Sequence, residues 1–523
     1  MQFVQIRIEW ASTSCAFFYI RRKCKRKGGK QMSTENTLLQ KKESVFASNN
    51  TTAVYINSFI TLALMFGFGF LPPVGAITPL GMRVAGIFLG MIWGWLTVAL
   101  HWPSVIGLIA LGLSGYANVT TVFAAGFGHT NVMLVLFMMI FAGILNASGA
   151  VKGLADKLVS LRIARGKPWM LSFLLCLAMF VLSCMISLIP AILIMWTMLY
   201  GICEVYGIKQ GEKWPMLMLI GIVLSGSMAF QLFPFKSLAM IMLGSYQELS
   251  GETVNYLMYF LWMLITDWVV IGAYLLLCRF VFRPDVSKIA NSTEHIESKE
   301  TITPYQKFIL IYFLTVVALL LFPSIMPKEW AISKILNNLG TVGTTALAVF
   351  FMVFLNLKQG KPLKQMVDGN IDWNSYFLLA GAMVISKALE SEETGITQFI
   401  SDTLSPLLAG KSVLVFSVLL LLTACIVTNF CNNLATGIIF TPIAYTLCVT
   451  NPDVNVKGLM MVLITVCSCA LATPAGSLPA ALVYGNKEWV TGRNALKYGV
   501  ICVALDLIIM YVVGLPLANV MFH

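Results

Sequence analysis

Charge is the scarcest property of this sequence: Asp, Glu, Lys and Arg make up 11% of its 523 residues against 58% hydrophobic residues, and mean hydropathy is +0.83. So small a charged pool cannot cover a water-soluble globular surface, and the chain belongs in lipid. Strand alternation is missing too. Stretches 132–145 and 257–282 are apolar all round, whereas outer-membrane barrel strands alternate apolar and polar residues in runs of about ten. The spans are therefore helices. HExxH, a Gly-rich phosphate loop and a nucleophile elbow are all absent, so no cofactor or hydrolytic chemistry is indicated and the chain does not read as an enzyme. Its twelve cysteines are scattered, mostly inside apolar runs as at Cys425, Cys431 and Cys502, with neither disulfide nor zinc-ligand spacing. Cys467 and Cys469 point in different directions on a helix, so a shared metal site is not expected.

The net charge of +12 has a local origin and does not announce a nucleic-acid partner. Arg21, Arg22, Lys23, Lys25, Arg26, Lys27 and Lys30 form one N-terminal run suited to the cytoplasmic leaflet. The segment before it, 10–20, is too short to span, and Met32-Ser-Thr-Glu-Asn resembles a natural start. Residues 1–52 are read as a basic extension, with 1–31 an over-extended start site.

From Val54 onward, apolar stretches of roughly 17 to 25 residues, the length that crosses ~30 Å of hydrocarbon, recur between short polar links, and about eleven crossings fit. Positive links stay inside. Lys152, Lys157, Arg162, Arg165 and Lys167 form one such link, Arg279, Arg283 and Lys288 another, Lys358, Lys361 and Lys364 a third, and Lys487, Arg493 and Lys497 a fourth. Links 116–130 and 244–256 have no Lys or Arg, and 389–410 carries Glu390, Glu392, Glu393 and Asp402 without a basic residue. These belong outside. The pattern closes, with a cytoplasmic N-terminus and a plasma (inner) membrane location, only if segments 169–202 and 412–448 each enter and leave by one face as re-entrant hairpins. Polar or helix-breaking residues sit midway in both, at Ser183, Ser187 and Pro190 and at Thr428, Asn432 and Asn433. Backbone opened at that depth must line protein or a watery cavity.

The two halves match each other, the trace of an internal repeat. Gly143 corresponds to Gly381 (381 − 143 = 238), hairpin tip Ser187 to Asn432 (432 − 187 = 245), and Pro234 to Pro474 (474 − 234 = 240). The two prolines interrupt the helices that follow the hairpins, in the runs 231–237 and 472–479. Asp267 and Asp506, deep in the next apolar spans, extend the series (506 − 267 = 239). An odd number of crossings between the halves makes the repeats inverted. The expected organisation is an extension 1–52, a first repeat with its lead helix 53–282, a cytoplasmic linker 283–304 and a second repeat 305–523.

Hairpin tips meeting broken helices at mid-membrane bring together helix N-termini, which attract anionic oxygens, and freed carbonyls, which with Ser, Thr and Asn oxygens suit a hard cation such as sodium. Here the residues resemble the divalent anion–sodium symporters, the family of dicarboxylate, citrate and sulfate transporters, over most of 53–520. That family places a Ser-Asn-Thr triplet at each hairpin tip and a Thr-Pro-Pro-Asn-like break in each following helix. Ala472-Thr473-Pro474 echoes the break; at the second tip Asn432 takes the Ser place, Asn433 keeps the Asn and Leu434 replaces the Thr. The first tip departs further: Ser187 keeps the Ser, but Leu188 and Ile189 follow, and its break reads Phe233-Pro234-Phe235-Lys236.

The resemblance implies an all-α carrier of a small anion, driven by sodium, in a homodimer whose transport unit slides like an elevator. Substrate contacts are expected from Ser187, Lys236, Ser237, Asn432, Asn433, Thr473 and Pro474, and sodium contacts from Ser183, Ser187, Thr428, Asn433 and Thr473. Sodium is the only metal expected. The Lys236 ammonium stands either in place of a first-half sodium or against the substrate. Asp267 and Asp506 are expected to pair with Lys236 and the hairpin polar groups, or to relay protons, since intramembrane acids are rarely idle. The rival of the same architecture is a proton-coupled or exchanging carrier; a channel or membrane-embedded enzyme would need a continuous pore or a convergent catalytic set, and neither is displayed.

Overall fold

The computed structural model describes residues 51–292, 302–324, 327, 329–358, 371–396, 398–399, 402, 413–449, 454–474 and 476–522. The basic N-terminal run, residues 293–301 of the linker, Lys361 and Lys364 fall outside them. The described residues form helices and no strand. The first half runs α1 (Thr51–Gly67), α2 (Pro79–Thr97), α3 (His101–Leu113), α4 (Val119–Phe127), α5 (Thr130–Ser148), α6 (Ala150–Val159), α7 (Pro168–Met185), α8 (Leu188–Val205), α9 (Lys213–Ala229), α10 (Ser237–Ser250) and α11 (Tyr256–Leu276). The second runs α12 (Pro304–Leu321), α13 (Ala331–Lys358), α14 (Trp373–Glu390), α15 (Val413–Phe430), α16 (Asn433–Val449), α17 (Val456–Ser468), α18 (Leu478–Gly485), α19 (Gly492–Ile509) and α20 (Leu515–Met521). Nine helices among the described residues are long and apolar enough to cross a bilayer; two of them, α7 and α8, are the arms of the first hairpin.

Local chemistry sets many of these boundaries. Thr78 caps α2 by accepting from Gly81 N–H at 3.0 Å, ahead of Pro79 at the first helical position. Thr303 and Gln306 close a capping box on α12. His129 caps α5 through Nδ1, and its Nε2 meets Glu248 Oε1 on α10 at 2.9 Å. Gly149, with φ of 71°, ends α5 in the left-handed conformation that costs glycine least.

The interior is built around the two broken helices. Every α9 residue from Trp214 to Ala229 is buried, as is every α17 residue from Gly458 to Ser468. By contrast α1 buries only Thr61 and Met65 and leaves Phe59 73% exposed, as the turn just after it leaves Phe70 90% exposed. An apolar face of that kind suits lipid acyl chains. Both long helices that follow the breaks end in π-turns, at Leu277–Phe282 and Met510–Gly514. Composition gives no warning of such single-turn bulges, which are common at functional sites.

Two hairpin tips clasped to two broken helices

At the first tip α7 ends at Met185, Ile186 is extended, and Ser187 (φ −66°, ψ 143°) opens α8 without a side-chain cap bond. Pro190 fits the first turn of α8, where its missing N–H has no intrahelical partner to lose. Two side chains fasten this tip to α9: Ser183 donates to the Gly226 carbonyl at 2.7 Å and the Cys184 thiol to the Ala229 carbonyl at 3.6 Å. Past α9 the chain breaks over 230–236, where Phe233 and Phe235 stack at 5.3 Å. Lys236 occupies the N-cap position of α10 without a side-chain cap bond, and its ammonium donates to the Ser183 carbonyl at 3.3 Å and the Ile186 carbonyl at 3.2 Å, 4.9 Å from the Phe230 ring centre. A cation is thus held at the carbonyl end of α7, the negative pole of its dipole.

The second tip repeats the plan with other groups. Asn432 caps α16 by accepting from Leu434 N–H at 2.9 Å, and Thr428 donates to the Cys467 carbonyl at 2.8 Å. Thr428 therefore does at α17 what Ser183 does at α9. Where the first half has Lys236, the second has Thr473, whose hydroxyl donates to the Asn429 carbonyl. The Asn429 carboxamide accepts from Ala472 N–H and donates to the Cys425 carbonyl, both at 2.8 Å. Gly476 lies so close that a Cβ there would sit 2.8 Å from the Thr428 carbonyl oxygen and 3.0 Å from that of Asn429. Ser477 closes the break, donating to the Ala470 carbonyl at 2.6 Å and accepting from Ala480 N–H at 3.2 Å.

The halves interlock across these tips. α16 leaves the second tip alongside α10, where a Cβ on Gly437 would meet Met242 and Leu238 at 2.8–3.0 Å. α8 leaves the first tip alongside α18, and beyond it Asn486 donates to the Tyr200 hydroxyl at 2.7 Å. Each hairpin thus leans on the helix beyond the other half's break.

Of the residues expected at the site, Lys236 meets the Ser183 carbonyl directly and Thr473 the Asn429 carbonyl, while Thr428 reaches Cys467. Ser187, Asn432, Asn433 and Thr473 are half-buried and Pro474 is exposed; the side chain of Ser237 lies outside the described atoms. The expected pairing of the aspartates with Lys236 needs correction. Lys236 reaches carbonyls, and neither oxygen of the fully buried Asp267, nor Oδ1 of Asp506, has a hydrogen-bond partner among the described residues. The reason is geometric: an α7 end with its last carbonyls open lies within reach of the ammonium. Asn429 was missed. Its signal is a carboxamide three residues before the Asn432 tip in an otherwise apolar run, and its oxygen and nitrogen both bind backbone across the clasp.

The family model described as "Citrate transporter" matches residues 56–436 and 330–523. A sodium-dependent dicarboxylate transporter of Staphylococcus saprophyticus, SdcS, is 25% identical over 272 residues, covering 49% of each chain. A sodium-dependent high-affinity dicarboxylate transporter of Caenorhabditis elegans is 23% identical over 300 residues, covering 52% of each. This chain thus spans about half the length of the curated relatives it matches. Among solved structures, the YdaH transporter of Alcanivorax borkumensis superposes with a TM-score of 0.58 over 89% of this chain and 98% of that one, at 13% identity, a likeness of fold. The family and these relatives are transporters, and this multi-pass helical chain belongs to the citrate transporter family.

Proposed function

We propose that the protein carries a small di- or tricarboxylate across the plasma membrane, coupled to sodium, by an elevator-type motion. The observation that carries the reading is the pair of hairpin tips, each clasped by a hydroxyl to a broken helix, one completed by an ammonium and the other by hydroxyl and carboxamide groups. In this reading helix N-termini at Ser187 and Asn432 present N–H groups to carboxylate oxygens, and Lys236, Ser237, Asn433, Thr473 and Pro474 are assigned as further substrate contacts. Sodium is assigned to the second tip, to Thr428, Asn433 and Thr473, whose oxygens retain acceptor lone pairs. At the first tip the Lys236 ammonium already occupies two carbonyls that a cation would use, so Ser183 and Ser187 serve there as clasp and anion contact. The named sodium-dependent dicarboxylate transporters among the relatives support this choice of solute and coupling ion.

In this reading the halves 53–282 and 305–523 are inverted repeats, the N-terminus is cytoplasmic, and a homodimer of scaffolds carries two sliding transport units. The test is uptake of a radiolabelled dicarboxylate panel into proteoliposomes, with and without an inward sodium gradient. Sodium-driven uptake abolished by Asn433→Ala supports the assignment; uptake indifferent to sodium but driven by a pH gradient or by counter-substrate overturns the coupling. That second outcome belongs to a proton-coupled or exchanging carrier, which the fixed cation at Lys236 also favours.

A further inference from the structure

Asp267 lies near the middle of the span formed by α11 and its π-turn, Tyr256–Phe282, and Asp506 near the middle of the Gly492–Met521 span. The two are repeat mates on helices that touch, close enough for the charge of Asp506 to act on Asp267. Asp267 is 0% exposed and Asp506 1%. Three of their oxygens, both of Asp267 and Oδ1 of Asp506, have no hydrogen-bond partner among the described residues. An ionised carboxylate is acceptor-only, so two of them here would bury oxygens that receive no hydrogen bond while their charges repel. A proton eases both difficulties, because it leaves a neutral carboxyl, which costs far less to bury than a carboxylate, and it removes the repulsion between two like charges.

We propose that Asp267 and Asp506 form a proton-binding site, one carboxyl from each half, the pair holding a single proton in the contact between α11 and α19. The surroundings select a proton over sodium. Both residues sit in unbroken helix whose carbonyls are engaged in helical bonds, and the neighbouring Thr266 hydroxyl turns back onto the Trp262 and Met263 carbonyls at 2.9 and 3.2 Å. Among the described residues no group of three or more His, Cys, Asp or Glu that could hold a metal ion is present. The titratable groups facing it are Tyr259 on its own helix, Cys184 from α7, Cys425 from α15, Cys469 from the second break and Cys502 on α19; Lys236 stands behind Cys184. Thiols and a phenol supply no permanent charge at neutral pH, which leaves the pair as the group there that exchanges a proton. When the proton leaves to water, two negative charges face each other across the α11–α19 contact, so proton occupancy is tied to how closely the two halves pack.

The test is infrared difference spectroscopy of the full chain in lipid between neutral and alkaline pH. The expected result is a protonated-carboxyl C=O band at neutral pH that disappears on alkalinisation, shifts when the protein carries 13C-aspartate, and is missing from the Asp267→Asn/Asp506→Asn double variant. The isotope arm uses native protein and so stands whether or not the variant folds. Absence of an aspartate band at neutral pH, or its persistence in a folded double variant, overturns the proposal. This readout involves neither substrate nor sodium, so it is independent of the outcome of the uptake experiment.

Discussion

Replacing Lys236 by Ala removes the ammonium but leaves the Ser183 and Ile186 carbonyls that it binds at 3.3 and 3.2 Å. A hydrogen bond to a charged group contributes about 1.5–3 kcal/mol, and these two are long, so the lower end applies to each. The Phe230 contact at 4.9 Å adds about 0.5–1 kcal/mol. The expected loss is therefore about 3–4 kcal/mol, roughly two to three powers of ten in the equilibrium that holds the first tip closed. The truncated side chain also opens a space lined by carbonyl oxygens at the negative end of α7, which suits a sodium ion. Sodium at about a hundred times its dissociation constant returns about 2.7 kcal/mol. Thermal unfolding of the purified protein in choline chloride and in sodium chloride at equal ionic strength reads both effects. Lys236→Ala is expected to melt well below native in choline and to recover most of the difference in sodium, with a larger sodium response than native. A variant as stable as native in choline refutes the anchoring role. A destabilised variant with no added sodium response refutes the idea that the ammonium stands in for a cation.

Three further outcomes follow from the same geometry. Asn429→Ala leaves Ala472 N–H and the Cys425 carbonyl without their side-chain partner, which costs about 1–3 kcal/mol for a buried group left unpaired; sodium-driven uptake should fall at least tenfold while the protein still elutes as a single species. Gly476→Ala places a methyl 2.8 Å from the Thr428 carbonyl, and overpacking of about 1–3 kcal/mol should raise the sodium concentration for half-maximal uptake; an unchanged sodium dependence contradicts the close approach. Outside the membrane, the Lys457 ammonium, 2.8 Å from Glu252, holds that carboxyl below its usual range, with the Tyr246 hydroxyl helping. The stabilisation is present above the ordinary Glu range and is lost as pH falls through the lowered value, so proteolysis of the 251–255 loop should accelerate in acid for native protein and show no such step for Glu252→Gln. The pair is largely exposed, so its contribution is at most about 1 kcal/mol.

Much of the hairpin plan is legible in the residues themselves. Pro190 and the Asn432-Asn433 pair interrupt apolar runs at the points where α7 gives way to α8 and α15 to α16, because a missing N–H or a side chain that competes for backbone bonds marks a helix boundary locally. Pro234 and Pro474 mark the two breaks for the same reason. Asn429 and Gly476 are different. What makes one a clasp and the other irreplaceable is a backbone segment about forty residues away in the chain, and no local signal encodes which carbonyl will arrive there.

The sequence by itself determined that this is a helical chain for lipid, since too little charge is available for any other solvent boundary, and it placed the breaks, since caps and prolines act within a turn of where they stand. Only the tertiary structure decided the partners of the buried polar groups. Lys236 sits within reach of both carbonyls and carboxylates in an apolar interior, and its choice of the Ser183 and Ile186 carbonyls depends on where the end of α7 lies relative to α11, a long-range packing result. The same packing left Asp267 and Asp506 on touching helices, within electrostatic reach of each other and with oxygens unpaired.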